Sequence, residues 1–391
     1  MLSRALAPSM PALPITDWDI FCNVVDNYGD IGVCWRLARQ LATEHSLHVR
    51  LWVNDLKSFQ PLCPDIDPQL LIQRVGGVEI RRWETDFLDV EPGDVVIEAF
   101  ACHIPERFVA AMAKRQPSPV WINLEYLSAE NWVAGCHALS SPHPRLPLVK
   151  YFYFPGFSTD TGGLLRESDL LLRKQLFKAN PEQQLAFWHE LACPPPPGNA
   201  LKVSLFAYEN PAIVELLQAW QVSDTPICCL VPESRALRSV EAFCDRPLQA
   251  GDLVRRGALE IRVIPFLEQS RYDLLLWSCD LNFVRGEDSF VRAQWAAEPM
   301  VWNIYPQEES AHLVKLDAFL DLYCAELPEA TSAAVREFWH AWNGGPLTPG
   351  LWKEFAACLD DLKLHAGRWA EKLAMQEDLS SGLVRFCQSK L

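Results

Sequence analysis

The sequence has no long apolar segment. Among its 391 residues there is no run of 18 consecutive apolar side chains, so it predicts no membrane-spanning helix. Residues 1–16 contain Arg4 and three prolines but no continuous apolar stretch of the kind that a cleavable export signal requires. We therefore predict a cytoplasmic protein in which residues 1–17 form a loose leader.

Several motifs of familiar enzymes are also missing. The glycine patterns G-x-G-x-x-G and G-K-[ST], which cradle the phosphates of dinucleotides and nucleoside triphosphates, do not occur. Neither H-E-x-x-H nor G-x-S-x-G is present, and the histidines lack the paired spacing of metal ligands. These absences argue against a zinc hydrolase and against a serine hydrolase.

Paired cysteines are missing as well. The sequence has 13 cysteines, an odd number, and no two of them form a C-x-x-C pair. Cys22, Cys228 and Cys279 lie in apolar segments, which favours reduced thiols packed in the core of a cytosolic protein.

Basic side chains are fewer than acidic ones. The 35 Lys and Arg residues face 50 Asp and Glu residues, which gives a formal net charge of −15. This charge opposes non-specific binding to nucleic acid or to anionic lipid, and we predict neither as a partner. Any anionic ligand must be held by local features of the structure.

What the sequence does contain is a repeated alternation of short apolar runs and helix-like segments. Such alternation predicts parallel sheets that are covered by helices on both faces. The predicted strands are residues 19–25, 47–53, 94–100, 119–127, 201–208, 226–231, 259–266, 280–286 and 300–305. The main predicted helices are residues 33–44, 105–115, 269–277, 288–298 and 311–323.

A proline run divides this pattern into two halves. Residues 193–199 read CPPPPGN, and four consecutive prolines can continue neither a helix nor a central strand. We therefore predict an α/β protein with two doubly wound domains, at 18–192 and 200–372, joined by a linker at 193–199. From about residue 331 the pattern is helical, and five of its aromatic side chains are predicted to lie in the core: Trp339, Trp342, Trp352, Phe355 and Trp369.

Two aspartates stand in the loop between the first predicted strand and the first helix. The loop reads 22-CNVVDNYGDIG-32, and in open parallel sheets ligands collect at the carboxyl ends of the strands. Asp26 and Asp30 can therefore serve a cation or a proton transfer. The alternative is that Asp30 caps the helix and Asp26 closes an Asx turn. The spacing alone does not choose between the two.

A second polar group follows the predicted strand at 280–286. Arg285 and the free N–H groups of the next helix can bind an anion such as a diphosphate, with Asp288 or Ser289 capping that helix. Glu287 can accept hydrogen bonds from sugar hydroxyls. The alternatives are an ordinary strand-to-helix turn with a capping acid, and a magnesium site at Glu287 and Asp288.

Aromatic side chains stand at or just past the ends of three other predicted strands in the second half. Such rings can stack on a nucleotide base, and a side-chain amide can read the edge of that base. Each ring alone is equally typical of core packing. The residues of this group are Phe206, Tyr208, Phe266, Gln269 and Tyr305.

Three segments resemble those of a known family. They are NVVDNYGDIGVCWRLARQL at 23–41, FYFPGFSTDTGGLLRE at 152–167 and NFVRGEDSFVRAQWA at 282–296. These segments are similar to those of EarP, the bacterial rhamnosyltransferases that modify an arginine of translation elongation factor P. The likeness runs from about residue 18 to the C-terminus and leaves out only the leader.

The resemblance implies a GT-B fold, in which two Rossmann-like domains enclose a cleft. It implies an inverting, metal-independent transfer of L-rhamnose from dTDP-β-L-rhamnose to an arginine of elongation factor P, with no cofactor besides this donor substrate. The first domain would bind the protein acceptor and the second the nucleotide sugar. We also expect residues 373–391 to form a C-terminal helix that returns to the first domain.

The resemblance also implies roles for individual residues. The catalytic positions of the family fall on Asp26, Asp30 and Glu287. Its donor-binding positions fall on Phe206, Tyr208, Phe266, Gln269, Arg285, Asp288, Ser289 and Tyr305.

These roles agree with the chemistry of the acceptor. A guanidinium group has a pKa above about 12, so it binds carboxylates and is a poor nucleophile until a proton leaves. An aspartate with an ordinary pKa of about 3.9 cannot remove that proton in the ground state. Proton loss should accompany formation of the C–N bond, with Asp30 as general base and Asp26 as its orienting partner, although the two roles could be exchanged.

Two other functions stay open. The chain could be another GT-B transferase with a different nucleotide sugar or acceptor, in which case dTDP would not bind better than UDP or GDP. It could also be a non-catalytic protein that senses a nucleotide sugar or docks to the translation factor. Such a protein would need Arg285 and the aromatic rings but not both aspartates.

Overall fold

Two parallel-rich sheets with helices against their faces organise the chain in the computed structural model, which describes residues 16–26, 28–83, 90–196, 198–307 and 311–390. The alternation of apolar runs and helical segments had predicted this α/β arrangement. Among the described residues, no helix is long and apolar enough to cross a membrane. The 13 cysteines are all free thiols.

The first sheet has the strand order β3-β4-β2-β1-β5-β6-β8-β7 in the described residues. Its strands are β1 (Asp17–Cys22), β2 (His48–Val53), β3 (Ile72–Val75), β4 (Val78–Arg82), β5 (Val95–Ala99), β6 (Val120–Leu124), β7 (Ser140–Pro142) and β8 (Val149–Tyr153). Neighbouring strands are parallel except at the two edges, where β3 pairs with β4 and β7 with β8 in antiparallel register. The helices of this half are α1 (Gly29–Glu44), α2 (Leu56–Phe59), α3 (Glu106–Met112) and α4 (Trp132–Cys136).

The second sheet has the order β11-β12-β10-β9-β13-β14. Its strands are β9 (Leu201–Leu205), β10 (Ile227–Pro232), β11 (Leu253–Arg256), β12 (Leu259–Ile264), β13 (Leu281–Arg285) and β14 (Met300–Asn303). The edge pair of β11 and β12 is antiparallel. Two helices precede this sheet in the chain: α5 (Leu170–Ala179) and α6 (Pro181–Glu190). Four helices connect its strands: α7 (Ala212–Gln221), α8 (Leu237–Cys244), α9 (Gln269–Ser278) and α10 (Asp288–Ala296).

Helices complete the C-terminal part of the chain. They are α11 (Ala311–Tyr323), α12 (Glu329–Trp342), α13 (Pro349–Ala357), α14 (Leu359–Ala374) and α15 (Leu379–Gln388). The five aromatic residues predicted to be core in this part are confirmed as buried. Their rings pack in the core of the second sheet, since Trp220 on α7 contacts Trp352 and Phe283 on β13 contacts Trp342.

The alternation of side chains along β1 explains the two layers of the first domain. Ile20 and Cys22 point into the core that α1 covers, whereas Phe21 points to the opposite face and packs against Phe108 of α3. Helix α15 closes the α1 side, with three buried residues at a spacing of four (Leu379, Leu383 and Cys387) in the same core.

The chain therefore crosses between the two cores more than once. Helices α5 and α6 precede the proline run, yet Phe177, Phe187 and Trp188 pack in the core of the second sheet. Helix α15 follows the second sheet and packs in the core of the first. The linker at 193–199 and the domain end at residue 372 therefore stay predictions about which parts of the chain fold as separate domains.

Most predicted strands and helices are present, but several strands end earlier than predicted. Strand β6 stops at Leu124 rather than residue 127, β9 at Leu205 rather than 208, and β14 at Asn303 rather than 305. Single backbone hydrogen bonds continue past two of these ends, from the N–H of Glu125 to the carbonyl of Tyr153 and from the N–H of Phe206 to the carbonyl of Phe283. The residues just past these strand ends, including Tyr126, Tyr208 and Tyr305, are thereby placed in the candidate site.

Candidate active site

Two adjoining cavities lie where the carboxyl ends of the two sheets face each other. The first, here called the carboxylate cavity, is lined by Asp26, Asp30 and Glu287. The second, the Arg285 cavity, is lined by Arg285. Asp26 and Gly29 line both, so the loop after β1 forms the wall between them.

Asp30 holds the loop after β1 in place. It lies in the first turn of α1 and is buried, and its Oδ2 accepts hydrogen bonds from the backbone N–H groups of Val25 (2.8 Å) and Asp26 (2.9 Å). Helix α1 begins at Gly29 with no side-chain cap. The alternative prediction that Asp30 caps the helix is therefore wrong, because its carboxylate reaches back to the loop instead.

Asp26 connects the two domains. The hydroxyl of Tyr208, which follows β9, donates to Asp26 Oδ2 over 2.6 Å. The other oxygen, Oδ1, is buried and has no hydrogen-bond partner among the described residues. Burial raises the pKa of Asp26 to about 6. The hydrogen bond from Tyr208 and the positive charge of Arg285 act in the opposite direction and lower this pKa. The turn after Asp26 is closed by its backbone carbonyl, which accepts from the N–H of Gly29 over 2.6 Å.

Glu287 is the third carboxyl group of the carboxylate cavity. Its Oε2 accepts a hydrogen bond of 2.9 Å from the backbone N–H of Leu127, which follows β6 of the first sheet. Burial raises the pKa of Glu287 to about 8, and the neighbouring charge of Asp30 adds to the rise, whereas the Leu127 hydrogen bond and Lys315 lower it. The raised pKa favours the protonated form of Glu287 near neutral pH, in which the carboxyl group can donate a hydrogen bond to a substrate oxygen.

Gly286 allows the two domains to approach at this point. Its φ is +59°, a conformation that glycine adopts at little cost. A Cβ atom at this position would lie 2.7 Å from Asp26 Oδ2 and 2.9 Å from the Tyr208 hydroxyl oxygen. The hydrogen bond between Asp26 and Tyr208 therefore occupies the space that any other residue at 286 would need.

The Arg285 cavity holds a buried cation among aromatic rings. The guanidinium carbon of Arg285 lies 4.6 Å from the ring centre of Tyr208, 4.9 Å from that of Phe206 and 5.4 Å from that of Tyr28. Its Nη1 is buried and has no hydrogen-bond partner among the described residues. A buried donor without a partner is costly, so this nitrogen is suited to bind an anionic ligand.

The start of α10 contributes Asp288 and Ser289 to the same cavity. The prediction that one of them caps α10 is wrong, since the helix has no side-chain cap. Asp288 instead accepts a hydrogen bond of 2.7 Å from Arg36 Nε. The hydroxyl of Ser289 is bonded to the backbone of Arg285, from whose N–H it accepts over 3.0 Å. The N-terminus of α10 is left without a cap beside Arg285, as an anion site requires.

The remaining predicted donor-binding residues surround Arg285. Phe206, Phe266 and Gln269 line the Arg285 cavity, and Phe266 packs against Tyr28 at 4.8 Å between ring centres. Gln269 has a buried Oε1 without a hydrogen-bond partner among the described residues. Tyr305 is 39% exposed and packs edge-on against Tyr208 at the rim of the carboxylate cavity. Ten of the eleven predicted site residues thus line one of the two cavities. The eleventh, Tyr208, lines a neighbouring pocket and reaches the site through its contacts with Asp26 and Arg285.

Three further residues were missed in the sequence. Tyr126 donates a hydrogen bond to Asp30 Oδ1 over 3.2 Å, and Lys315 of α11 lies with its Nζ 5.8 Å from the ring centre of Tyr126. Arg36 of α1 binds Asp288. The position of Tyr126 just past a predicted strand could have suggested it. Arg36 lies in the segment 23–41 that resembles the family, which could have suggested it, whereas nothing in the sequence distinguishes Lys315 from other basic residues on helices.

The described carboxyl groups of this region are not arranged as a metal site. Within the ranges that the structure describes, no group of three or more His, Cys, Asp or Glu side chains is placed to hold a metal ion. Asp288, one of the two residues considered for magnesium, is paired with the Arg36 guanidinium.

The fold has known counterparts. A glycosyltransferase of Rickettsia africae is 9% identical and superposes with a TM-score of 0.51 over 97% of this chain and 98% of that one. The structure solved for EarP-mediated arginine glycosylation of translation elongation factor EF-P is 36% identical, with a TM-score of 0.68 over 96% of this chain and 99% of that one. Together with two parallel-rich sheets that face each other across a cleft, these similarities define a GT-B glycosyltransferase fold.

Sequence comparison identifies the family. The model of the family "Elongation-Factor P (EF-P) rhamnosyltransferase EarP" matches residues 18–388. The protein-arginine rhamnosyltransferase of Pseudomonas putida is 50% identical over 375 residues, which are 96% of this chain and 99% of that protein. The chain therefore belongs to the EarP family of rhamnosyltransferases, as the three sequence segments had suggested.

Proposed function

We propose that this chain transfers L-rhamnose from dTDP-β-L-rhamnose to an arginine side chain of elongation factor P, with inversion at the anomeric carbon. Family membership supports the rhamnosyl transfer and the protein acceptor. The observation that supports it most strongly is the meeting of carboxyl groups and a buried guanidinium at the wall between two cavities. The carboxylate cavity suits a cationic acceptor, and the Arg285 cavity suits an anionic donor.

The acceptor arginine would enter the carboxylate cavity. Its guanidinium is cationic, and Asp26 and Asp30 line this cavity from one short loop. The free Oδ1 of Asp26 gains a hydrogen-bond donor when the guanidinium binds. The Tyr126 hydroxyl, which is 3.2 Å from Asp30 Oδ1, would give way to the incoming N–H groups. The two aspartates thereby hold the guanidinium and draw its charge to one side.

In the reaction, a guanidinium nitrogen attacks the anomeric carbon on the face opposite the leaving group. The new C–N bond forms as the C–O bond to the diphosphate breaks, and the bonding electrons leave with dTDP. The nitrogen becomes acidic as this bond forms, and its proton passes to Asp30. Direct attack from the opposite face inverts the anomeric configuration.

One observation favours the exchanged assignment of the two aspartates. Asp30 Oδ2 already accepts two backbone hydrogen bonds, whereas Asp26 has a free oxygen and a pKa of about 6. A carboxylate oxygen without a hydrogen-bond partner is free to accept the proton. Both carboxylates line the cavity, so the proton can pass to either of them.

The leaving group is stabilised without a metal in this proposal. Negative charge grows on the diphosphate as the C–O bond breaks, and the free Nη1 of Arg285 and the uncapped start of α10 are fixed donors beside it. The rings of Phe206 and Phe266 and the free Oε1 of Gln269 would hold the nucleoside. The protonated Glu287 would donate to a hydroxyl of the sugar, between the two cavities.

The direct test is the intact mass of elongation factor P after incubation with this protein and dTDP-β-L-rhamnose. We expect a gain of one deoxyhexose with the wild type. Asp30→Asn should lose transfer while still binding the donor, and Arg285→Ala should lose donor binding. Asp224→Asn, at an exposed aspartate outside the cleft, is the matched control and should act as the wild type.

Other outcomes point to the alternatives. Equal binding of dTDP, UDP and GDP would contradict the proposed donor and favour a transferase for another nucleotide sugar. Donor binding without any transfer to a competent acceptor would contradict the reaction and leave a nucleotide-sugar sensor.

A further inference from the structure

Arg36 crosses the cleft from the first domain to the donor side of the second. It lies on α1, and its side chain is 4% exposed. Its Nε donates to Asp288 Oδ1 over 2.7 Å, and its Nη2 donates to the backbone carbonyl of Gln269 over 3.2 Å. Both partners line the Arg285 cavity.

The same helix binds the side chain of Gln269 directly. Gln269 Nε2 donates to the backbone carbonyl of Gly32 over 2.8 Å and to Asp288 Oδ2 over 3.1 Å. Asp288 and Gln269 are thus held by each other and by α1, although they belong to the second domain. Helix α1 also carries Asp30, so one element sets both the carboxylate cavity and part of the donor cavity.

The other ion pairs of Arg36 do not depend on it alone. Arg36 lies 3.4 Å from carboxylate oxygens of both Asp273 and Glu167. Arg292 is closer to each, at 2.6 Å in both cases. By contrast, Asp288 has no other basic partner within 4 Å among the described residues. What Arg36 supplies and Arg292 cannot replace is the neutralisation of Asp288.

This neutralisation matters because of where Asp288 stands. Asp288 is the first residue of α10 and lines the cavity in which Arg285 would bind the diphosphate. An uncompensated carboxylate there would repel the diphosphate in surroundings that screen charge poorly. Paired with Arg36, the same carboxylate repels it less and fixes the amide of Gln269.

We propose that Arg36 is a positioning residue for donor binding, which it serves from the opposite domain by neutralising and orienting Asp288. This role rests on the proposed function. If Arg36 has this role, tight binding of the donor requires α1 to contact α10, and therefore requires the cleft to be closed. Donor binding and placement of the Asp26 and Asp30 loop are coupled through one helix.

The test compares Arg36→Met with the wild type in calorimetric binding of dTDP and dTDP-β-L-rhamnose. Methionine keeps much of the apolar stem and removes the guanidinium. Loss of a charged hydrogen bond in a buried site corresponds to about 10- to 100-fold weaker binding. We expect that loss for both ligands, with a matching rise in KM for the donor and a smaller change in KM for elongation factor P.

A second substitution separates positioning from general damage. In the double variant Arg36→Met/Asp288→Asn no carboxylate is left unpaired, so much of the lost affinity should return relative to Arg36→Met alone. If Arg36→Met does not fold, Arg36→Lys tests the orienting part of the role alone, because lysine keeps the positive charge but has no Nε–H donor for Asp288; dTDP should then bind more weakly than to the wild type, by less than the loss of the whole guanidinium would cause. Arg50→Met is the matched control. It removes a paired arginine of the first domain, whose Nε donates to Asp19 over 2.7 Å, and should lower stability without weakening dTDP binding.

Two results would overturn the inference while leaving the proposed function intact. One is a wild type that binds and transfers, with Arg36→Met binding dTDP equally well. The other is a double variant that binds no better than Arg36→Met. A wild type that binds neither dTDP nor dTDP-β-L-rhamnose would overturn the proposed function itself, and the positioning role with it.

Discussion

At the scale of single residues, Asp26 is a buried carboxyl group, whose charged form is disfavoured, and one of its oxygen atoms has no hydrogen-bond partner among the described residues. Burial raises its pKa to about 6, and the Tyr208 hydroxyl and Arg285 limit that rise. Its unpaired Oδ1 leaves room for one more donor. A guanidinium supplies both the donor and the positive charge, so binding of the acceptor would restore Asp26 to an ordinary acid.

The raised pKa of Asp26 predicts an acid limb in the activity. The carboxylate loses its charge as the pH falls through about 6, and a neutral Asp26 no longer attracts the guanidinium. We expect kcat/KM for elongation factor P to fall about tenfold per pH unit below that point. In Tyr208→Phe the limb should move to higher pH, because the hydrogen bond that favours the charged form is lost.

Initial rates over the range from pH 5 to 8 measure this limb. Asp26→Asn, which cannot titrate, should lack the limb altogether. A wild-type rate that stays level from pH 8 down to pH 5 would show that the pKa of Asp26 is not raised in the free enzyme, and would contradict the prediction.

At the scale of elements, the connection from β13 to α10 brings most of the donor chemistry together. Arg285 ends the strand, Gly286 turns the chain, and Glu287 precedes a helix without a cap. The positive φ of Gly286 aims Arg285 into one cavity and Glu287 into the other. Three consecutive residues of this turn thus contribute a cation, a left-handed backbone conformation and a carboxyl group to the site.

Gly286→Ala should abolish most activity with only a modest loss of stability. The left-handed backbone costs alanine about 1 kcal/mol, but the new methyl group would also lie 2.7 Å from Asp26 Oδ2 and break its bond to Tyr208. We expect rhamnosyl transfer to fall by at least about 100-fold, as measured by initial rates on elongation factor P.

Gly251→Ala is the matched control for the cost of placing alanine in a left-handed backbone conformation. Gly251 has a φ of +93°, and a Cβ atom there would have no neighbour within 4 Å. It should show a similar loss of stability with unchanged activity. Equal rates for the two variants would contradict the argument that the space beside Gly286 is needed for catalysis.

At the scale of the whole molecule, the chain ties its two cores together after the second sheet is complete. Arg166 donates to the backbone carbonyl of Ala374 over 2.8 Å, and Gln40 on α1 donates to Asp378 over 3.0 Å. Helix α15 then buries its apolar face beside α1. The helix that carries Asp30 and Arg36 is thus supported by the last helix of the chain.

Leu383→Ala should therefore destabilise the molecule although it lies far along the chain from the first domain. The side chain of Leu383 is fully buried, and loss of such a leucine costs about 2–5 kcal/mol. Leu364→Ala, on α14, is the matched control because Leu364 is 63% exposed. Denaturant unfolding measures both, and equal midpoints for the two variants would show that α15 does not support the fold.

Much of the architecture could be predicted because it depends on local pattern. Buried parallel strands appear as short apolar runs, and all nine predicted strands are present. The hairpins of β3 with β4 and of β7 with β8 and the edge strand β11 were missed, because these strands have only three to five residues and most of their side chains are exposed or half-buried. The ends of β6, β9 and β14 were set too late, because the apolar pattern continues where the backbone already turns into the cleft.

The sequence by itself determined the fold class, the family and the residue types at the site, because these depend on periodicity and on the local segments around Asp26 and Arg285. Only the tertiary structure decided how these groups act on one another. The bond from Tyr208 to Asp26 joins residues 182 positions apart, and that from Arg36 to Asp288 joins residues 252 apart. Such contacts, and the burial that raises the pKa of Asp26 and Glu287, arise only when the two sheets close on one cleft.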